Sequence, residues 1–192
     1  MKCPKCGSRK TAPILYGMPA FDEEMKEKLE NRKLVLGGCC ITGADPRYHC
    51  YGCGKDICTP PILRSSRGKE DYRELVTSIR FIYGSSLSMP SMVHIKKLRG
   101  GSVCLEASSK EGFIQREITD AEWEKLLNTL YGRLYLHEWK KRYDNPLVLD
   151  GEDWSLELKL TGGRVRTYRG FNAYPPYWKE LKAAFQPFLK EG

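Results

Sequence analysis

The chain has 192 residues, of which 41% are hydrophobic, and its formal net charge is +8. This length and hydrophobic content exclude a disordered tail and leave room for one small and one medium-sized domain. The positive charge suits a polyanionic partner, but acidic and basic residues alternate along most of the chain instead of forming a basic run.

The sequence also bears on the compartment. It contains no apolar run near the roughly 20 residues of a membrane span, and its N-terminus lacks the apolar core of a signal peptide. We therefore expect a cytoplasmic protein without a membrane partner, in which cysteines are reduced and available to bind metal.

Two short cysteine motifs have the spacing of metal ligands. Residues Cys3–Gly7 and Cys50–Gly54 both read Cys-x-x-Cys-Gly. Each pair of cysteines can supply two thiolates, and the glycine that follows can adopt the positive φ that turns the chain beneath a metal. A zinc ion held by four protein sulfurs keeps no position for water or substrate. The sequence therefore predicts one structural Zn²⁺, bound by Cys3, Cys6, Cys50 and Cys53.

The alternative for these four cysteines is a pair of disulfides or a redox-active Cys-x-x-Cys motif, which a chain without a secretory signal disfavours. The other four cysteines are interpreted as small hydrophobic side chains. They are Cys39, Cys40, Cys58 and Cys104. One of the adjacent pair Cys39 and Cys40 could also act as a reserve ligand or a redox-sensitive thiol.

The segment between the two motifs is predicted to contain both strands and a helix. Strands are expected at Thr11–Tyr16, Leu34–Leu36 and Arg47–Cys50. An amphipathic helix is expected at Phe21–Lys33, with acidic residues in its first turn and basic residues in its last turn. Its apolar stripe should pack on the hairpin of the zinc site. Residues 1–62 are therefore predicted to form a zinc ribbon with an inserted helix.

Three short runs in this region carry a resemblance. Pro13–Pro19 has the pattern PIxYGxP, Val35–Cys39 reads VLGGC, and Cys50–Gly54 has the pattern CxxCG. Together they resemble an N-terminal zinc-ribbon module of uncharacterised bacterial proteins. The resemblance implies zinc binding and implies no particular activity.

A change in composition follows the second motif. The chain becomes rich in proline, serine and glycine, with basic residues interrupted by acidic ones. This composition predicts a solvated linker, which we place at residues 63–76. The alternative is a basic tether that contacts phosphate groups.

Residues 77–192 are predicted to form an antiparallel α+β domain. Alternating apolar residues predict six strands, at Ile79–Tyr83, Met92–Leu98, Ser102–Ala107, Phe113–Ile118, Trp154–Leu160 and Arg164–Tyr168. A capping box at Thr119–Glu122 begins one helix, for which Gly132 is the expected stop, and Tyr174–Pro176 precedes another. These two hairpin-plus-helix units predict one continuous antiparallel sheet with both helices on the same face.

A second resemblance covers the C-terminal region. The runs Trp154–Leu158, which reads WSLEL, and Gly170–Trp178, which reads GFNAYPPYW, resemble a recurrent bacterial domain of unknown function. The aromatic residues here have two interpretations. They form either a packing corner that holds the last helix on the sheet or a ligand groove. The groove would be lined by Trp139, Tyr143, Trp154, Tyr174 and Tyr177.

No catalytic motif emerges. His137 and Glu138 begin like a zinc-protease helix, but Lys141 stands where the second histidine is needed. The histidines are scattered, so a histidine-based triad would have to be assembled by the tertiary structure. We therefore expect no enzymatic activity.

Three functions follow from these features. The first is a non-enzymatic interaction module with a structural zinc site and a protein partner. The alternative is a nucleic-acid-binding zinc-ribbon protein that uses the basic residues near the cysteines, namely Lys2, Lys5, Arg9, Lys10, Arg47 and Lys55. An enzyme with its site in the C-terminal sheet has the least support.

Overall fold

The computed structural model describes residues 1–41, 45–58, 62–65, 68–85, 88–145, 147 and 151–190. Within these ranges it contains a four-stranded sheet, a seven-stranded sheet and a two-stranded sheet, together with helices. The predicted α+β class is therefore confirmed. Residues 66 and 67 of the predicted linker lie outside the described residues.

The four-stranded sheet is formed by the N-terminal region. Its strands are β1 (Thr11–Leu15), β2 (Val35–Leu36), β3 (Pro46–Cys50) and β4 (Lys55–Cys58). The order is β2-β1-β3-β4, in which β3 is antiparallel to β1 and β4, while β2 runs parallel to β1. We call residues 1–41 and 45–58 the small lobe.

Helix α1 (Glu23–Glu30) lies in the small lobe and begins at an Asp22 cap. The Asp22 carboxylate accepts a hydrogen bond of 2.8 Å from the Met25 N–H, and the helix has no buried side chain. Phe21 precedes the cap and is 59% exposed. The predicted packing of the apolar stripe is therefore wrong at Phe21, because this residue is not on the helix.

The predicted linker contains regular structure. Strands β5 (Ile62–Ser65) and β6 (Gly68–Asp71) pair antiparallel, and the short helix α2 (Tyr72–Leu75) follows. The side chains of Tyr72, Leu75 and Val76 are buried in the core of the large sheet. The assignment of residues 63–76 as a linker stays a prediction, but the last residues of this segment contribute to the core of the large sheet.

The seven-stranded sheet has the order β10-β9-β8-β7-β12-β13-β11. Its strands are β7 (Val76–Ser85), β8 (Ser91–Lys97), β9 (Val103–Ser109), β10 (Gly112–Ile118), β11 (Arg142–Asp144), β12 (Glu152–Leu160) and β13 (Val165–Phe171). Neighbours are antiparallel except β11 and β13, which are parallel. We call residues 72–85, 88–145 and 151–190 the large lobe.

Two longer helices belong to the large lobe, α3 (Asp120–Asn128) and α4 (Trp178–Phe185). The predicted capping box is present, since Thr119 and Glu122 exchange hydrogen bonds between side chain and backbone. Gly132 does not end the first helix, which continues as a π-helical turn at Thr129–Arg133. Burial of Leu130 and Tyr131 in the core favours this continuation.

The core lies between one face of the seven-stranded sheet and the two helices. Leu156, Leu158 and Leu160 alternate into it along β12, and Leu181 and Phe185 enter it from α4. The intervening β12 residues face away from the core, as alternation along a strand requires. Helix α3 contributes to the same core through Trp123, Leu126 and Leu127. Both helices therefore cover one face of the sheet, and within the described ranges neither of them covers the other face, which we call the open face. No helix in the described ranges is long and apolar enough to span a membrane.

Candidate metal centre

The four-stranded sheet brings the two cysteine motifs side by side. The first cysteine loop (Cys3–Gly7) lies just before β1, and the second (Cys50–Gly54) connects β3 to β4. Antiparallel pairing aligns Thr11 with Cys50, and the Tyr51 N–H donates to the Lys10 carbonyl at 2.9 Å. Two loops 47 residues apart in sequence, from Cys3 to Cys50, therefore meet at one end of the sheet.

The two loops have the same backbone turn. The Gly7 N–H donates to the Cys3 carbonyl at 2.9 Å, and the Gly54 N–H donates to the Cys50 carbonyl at 2.8 Å. Both glycines have a positive φ, 77° at Gly7 and 66° at Gly54. A residue with a side chain would be strained in this backbone conformation. The local sequence Cys-x-x-Cys-Gly thus determines a tight turn that directs two sulfurs to one point.

The four sulfur atoms form a compact cluster. All of them lie within 4.8 Å of one another, and two of the separations between the loops are 3.9 Å, between Cys3 and Cys53, and 3.6 Å, between Cys6 and Cys50. A tetrahedral ion with Zn–S bonds of about 2.3 Å requires sulfur separations of about 3.8 Å. The four cysteines are free thiols. Their geometry therefore fits a tetrahedral metal site and not a pair of disulfides.

The electrostatics of the cluster differ from one sulfur to the next. Burial raises the pKa of Cys3 to about 12. At Cys50 burial opposes ionisation as well, but backbone N–H groups of Cys53 and Gly52 donate to the sulfur and lower its pKa to about 7. Four thiolates this close repel one another, so their joint ionisation requires a divalent cation among them.

These observations define a cluster of four cysteine sulfurs in an α+β chain that could hold one metal ion. Sulfur ligands in a tetrahedral arrangement are the donor set that zinc prefers. No protein-family model, curated protein or solved structure matches the chain. The resemblances noted in the sequence stay predictions.

Lys2, the residue before the first cysteine loop, contacts the large lobe. The Lys2 ammonium donates to the Pro176 carbonyl and lies 5.0 Å from the centre of the Tyr177 ring. The Tyr177 hydroxyl donates to the Lys2 carbonyl. The loop before α4, residues 173–177, is therefore a docking point for the start of the chain beside the first cysteine loop.

A second contact between the lobes centres on Glu138. Its carboxylate lies 2.9 Å from the Lys5 ammonium and accepts a hydrogen bond of 3.3 Å from the Cys58 N–H. The neighbouring His137 donates from Nε2 to the Cys58 carbonyl at 3.2 Å. The side chain of Tyr135 packs against the buried cluster around Cys3 and Cys50. No sequence pattern predicts these contacts, because nothing local links residues 135–138 to the cysteine loops.

These contacts change the interpretation of the basic residues near the metal centre. Lys2 and Lys5 are engaged by the large lobe. The other four are exposed to solvent, namely Arg9, Lys10, Arg47 and Lys55. Two of the six cations that a nucleic-acid partner would use are therefore committed to contacts within the chain.

The five aromatic residues of the predicted ligand groove occupy different environments. Trp139, Trp154 and Tyr177 are buried in the large core, Tyr143 packs against it, and Tyr174 is exposed. The Trp139 indole donates to the Leu134 carbonyl at 2.8 Å, and the Trp154 indole donates to the Ala173 carbonyl at 2.9 Å. These bonds fix the loops around the core, as expected of a packing corner. The groove itself stays a prediction.

The remaining cysteines lie outside the four-sulfur cluster. Cys39 and Cys40 are exposed, with sulfurs 4.0 Å apart, while Cys58 and Cys104 are half-buried. Burial raises the pKa of the Cys58 thiol, and the nearby Glu138 carboxylate raises it further. Cys58 is therefore a neutral thiol at the junction of the two lobes.

Proposed function

We propose that this chain is a zinc-binding interaction protein in which one structural Zn²⁺ is held by Cys3, Cys6, Cys50 and Cys53. The observation that carries this proposal is the set of four sulfurs within 4.8 Å, contributed by two identical turns of the sheet. The zinc ion has a structural role only, since four sulfur ligands leave no open coordination position for a reaction.

The N-terminal region is then a zinc ribbon with an inserted helix. Strands β1, β3 and β4 form the antiparallel part, and each of the two cysteine loops lies at the same end of it. The metal joins these loops and so positions Lys2 and Lys5 for their contacts with Tyr177 and Glu138. The zinc ribbon acts as a non-enzymatic module whose shape depends on the metal.

The surface that we assign to a partner is that of helix α1 in the small lobe. Helix α1 has no buried side chain, and its apolar residues Met25 and Leu29 are half-buried. An amphipathic helix with an incompletely buried stripe favours a protein partner, because protein interfaces combine an apolar centre with a polar rim. The second candidate is nucleic acid, which the four exposed basic residues near the cysteine loops favour.

Metal analysis tests the first part of this proposal. The purified protein should contain one zinc per chain, and Cys6→Ser should lose it. Cys104→Ser is the matched control, because Cys104 is half-buried in the large sheet and should leave the zinc content unchanged. One zinc per chain in Cys6→Ser, or none in the wild type purified without chelator, would contradict the assignment.

A salt titration separates the two kinds of partner. Binding of random-sequence DNA and RNA should be absent even at low salt, where phosphate contacts are strongest. Affinity that falls steeply with salt, and that is weakened by replacing Lys10 and Lys55 with glutamine, would instead favour the nucleic-acid candidate.

A further inference from the structure

The open face of the seven-stranded sheet carries a line of three polar side chains. They are Ser78 on β7, His94 on β8 and Glu106 on β9. The Ser78 hydroxyl lies 3.0 Å from Nε2 of His94. On the other side of the imidazole, Nδ1 lies 3.5 Å from a carboxylate oxygen of Glu106. A hydroxyl, an imidazole and a carboxylate in this order form the arrangement of a serine nucleophile, its base and the acid that orients the base.

The register of the sheet explains why these residues meet. His94 is directly opposite Glu106, and Ser78 is opposite Lys96, the next residue of β8 on the same face as His94. Their neighbours Ile79, Val93 and Leu105 are buried in the core on the other face. Alternation along three adjacent strands therefore places all three polar side chains on the open face.

The line of residues is held in place, and its imidazole and carboxylate are partly accessible to solvent, whereas its hydroxyl is buried. Ser78 is 7% exposed, whereas the side chains of His94 and Glu106 are 24% and 29% exposed. The Lys96 ammonium lies 3.2 Å from the second oxygen of Glu106 and fixes that carboxylate. The imidazole and the carboxylate can thus be reached from solvent, while the buried serine hydroxyl lies within hydrogen-bond distance of the imidazole.

The protonation states suit proton transfer. Lys96, chiefly through its hydrogen bond, lowers the pKa of Glu106, so this group is a carboxylate at neutral pH. Burial lowers the pKa of His94 below its ordinary value, although Glu106 opposes this shift. The imidazole is therefore neutral at neutral pH. In the tautomer that carries its proton on Nδ1, this N–H faces Glu106 and the lone pair of Nε2 faces the serine hydroxyl.

We propose that Ser78, His94 and Glu106 form an acyl-transfer site for activated esters on the open face of the large sheet. The Ser78 oxygen attacks the ester carbonyl carbon while its proton moves to Nε2 of His94. The bond from carbon to the leaving alcohol then breaks, and His94 returns the proton to that oxygen. Water attacks the acyl-serine in the same way, and the carboxylic acid and free Ser78 result.

The surroundings indicate a slow reaction. Backbone N–H groups in the middle of a strand are committed to the sheet ladder, so positive side chains have to stabilise the oxyanion. Arg80 is opposite His94 in the register, and its guanidinium donates to the Met92 sulfur at 3.9 Å, a weak contact that a substrate can displace. Arg80, Lys96 and Lys159 supply positive charge on this face, with Lys159 opposite Ser78 in the register, and Glu157 opposite Arg80 supplies negative charge.

This site lies on the large sheet and uses no cysteine ligand. It therefore goes beyond the zinc-dependent interaction proposed above, and the two can fail separately. Zinc content should be one per chain in every variant of the open face.

A covalent probe gives the most direct test. The full-length protein is incubated with a fluorophosphonate, which phosphorylates activated serines, and the labelled residue is identified by peptide mass spectrometry. We expect labelling at Ser78 in the wild type and none at this position in Ser78→Ala. His94→Gln should slow labelling by about 100-fold or more, because the base is lost. Ser155→Ala is the matched control, since Ser155 alternates with buried residues of β12 on the same open face, and its rate should be unchanged.

The pH dependence tests the role of Glu106 as a positioning residue. The labelling rate should fall as pH decreases through the pKa of His94, that is, below the usual range of histidine. Glu106→Gln should lower the plateau and move this fall to more acidic pH, because the carboxylate raises the pKa of His94. A role in stability alone would lower the denaturation midpoint of these variants without any labelling of the wild type.

Three results would overturn the proposal. They are absence of label from the folded wild type, labelling at another serine, and an equal rate in His94→Gln. Circular dichroism and zinc analysis of each variant identify any that fail to fold. For such a variant, the wild-type pH profile and the position of the label decide the question.

Discussion

The two lobes are stabilised in different ways. The core of the large lobe runs from Tyr72 to Leu189 and includes buried side chains from sheet and helices. The buried cluster at the cysteine end of the small lobe consists of Cys3, Cys50 and Ile57, two of which are ligands of the proposed zinc ion. Burial of apolar surface can stabilise the large lobe unaided, whereas a region with so small a core requires a metal or a cross-link.

The helices show the same difference. Both α1 and α3 begin at a side-chain cap, Asp22 in one case and Thr119 in the other. Helix α3 buries Trp123, Leu126 and Leu127, but α1 buries no side chain. Similar local signals therefore produce a helix that belongs to a core and a helix that lies on a surface.

The largest expected effect comes from removing the metal. Cys50→Ser should release zinc and unfold the small lobe, because structural zinc contributes about 10–16 kcal/mol to folding in small zinc domains. The large lobe should stay folded, since its core contains no cysteine ligand. Backbone amide NMR spectra and zinc analysis measure both results.

The control for this experiment is Cys104→Ser, which should retain zinc and a complete spectrum. Treatment of the wild type with a strong chelator should reproduce the Cys50→Ser spectrum. Loss of the large-lobe signals together with those of the small lobe would show that the two lobes fold as one cooperative unit.

A substitution in the core of the large lobe should destabilise that lobe and leave zinc bound, which is the reverse of the result expected for Cys50→Ser. The Phe185 ring lies 4.7 Å from that of Phe81 and is fully buried, so Phe185→Ala should cost about 3–5 kcal/mol in the free energy of unfolding. Zinc should remain bound. Denaturant unfolding followed by tryptophan fluorescence measures the loss, and a change under 1 kcal/mol would contradict the assigned core.

Features encoded by local sequence could be predicted. The cysteine loops follow from Cys-x-x-Cys-Gly, because residue spacing and one glycine determine the turn. Strand β12 follows from alternating Leu156, Leu158 and Leu160, and the start of α3 follows from its capping box. In each case the residues that decide the structure are neighbours in sequence.

Features that depend on tertiary contacts could not be predicted. A glycine such as Gly132 is typical of a helix end. The helix nevertheless extends past it, because the extra turn buries Leu130 and Tyr131 in the core. The Lys5 contact with Glu138 joins residues 133 positions apart, and no sequence period relates them. The line of residues on the open face likewise requires the register of three strands.

Removing the ion pair between Lys5 and Glu138, which joins the two lobes, should have a smaller effect on stability. Lys5→Met and Glu138→Gln should each destabilise the small lobe by about 1 kcal/mol, because the ion pair is partly buried and Glu138 also accepts from the Cys58 N–H. A double-mutant cycle on the rate of zinc release measures the coupling. Additive single effects would show that the pair does not link the lobes.

The smallest effects should come from the helix caps and should again differ between the lobes. Thr119→Ala removes the hydroxyl that accepts from the Glu122 N–H and should lower the unfolding free energy of the large lobe by about 1 kcal/mol. Asp22→Ala removes the equivalent acceptor from α1 but should leave both the large-lobe unfolding free energy and the zinc content unchanged, because this helix contributes no side chain to a core. Hydrogen exchange should then show faster opening of α1 alone. A loss of zinc affinity in Asp22→Ala would mean that α1 supports the metal centre, and would remove the distinction between a surface helix and a core helix.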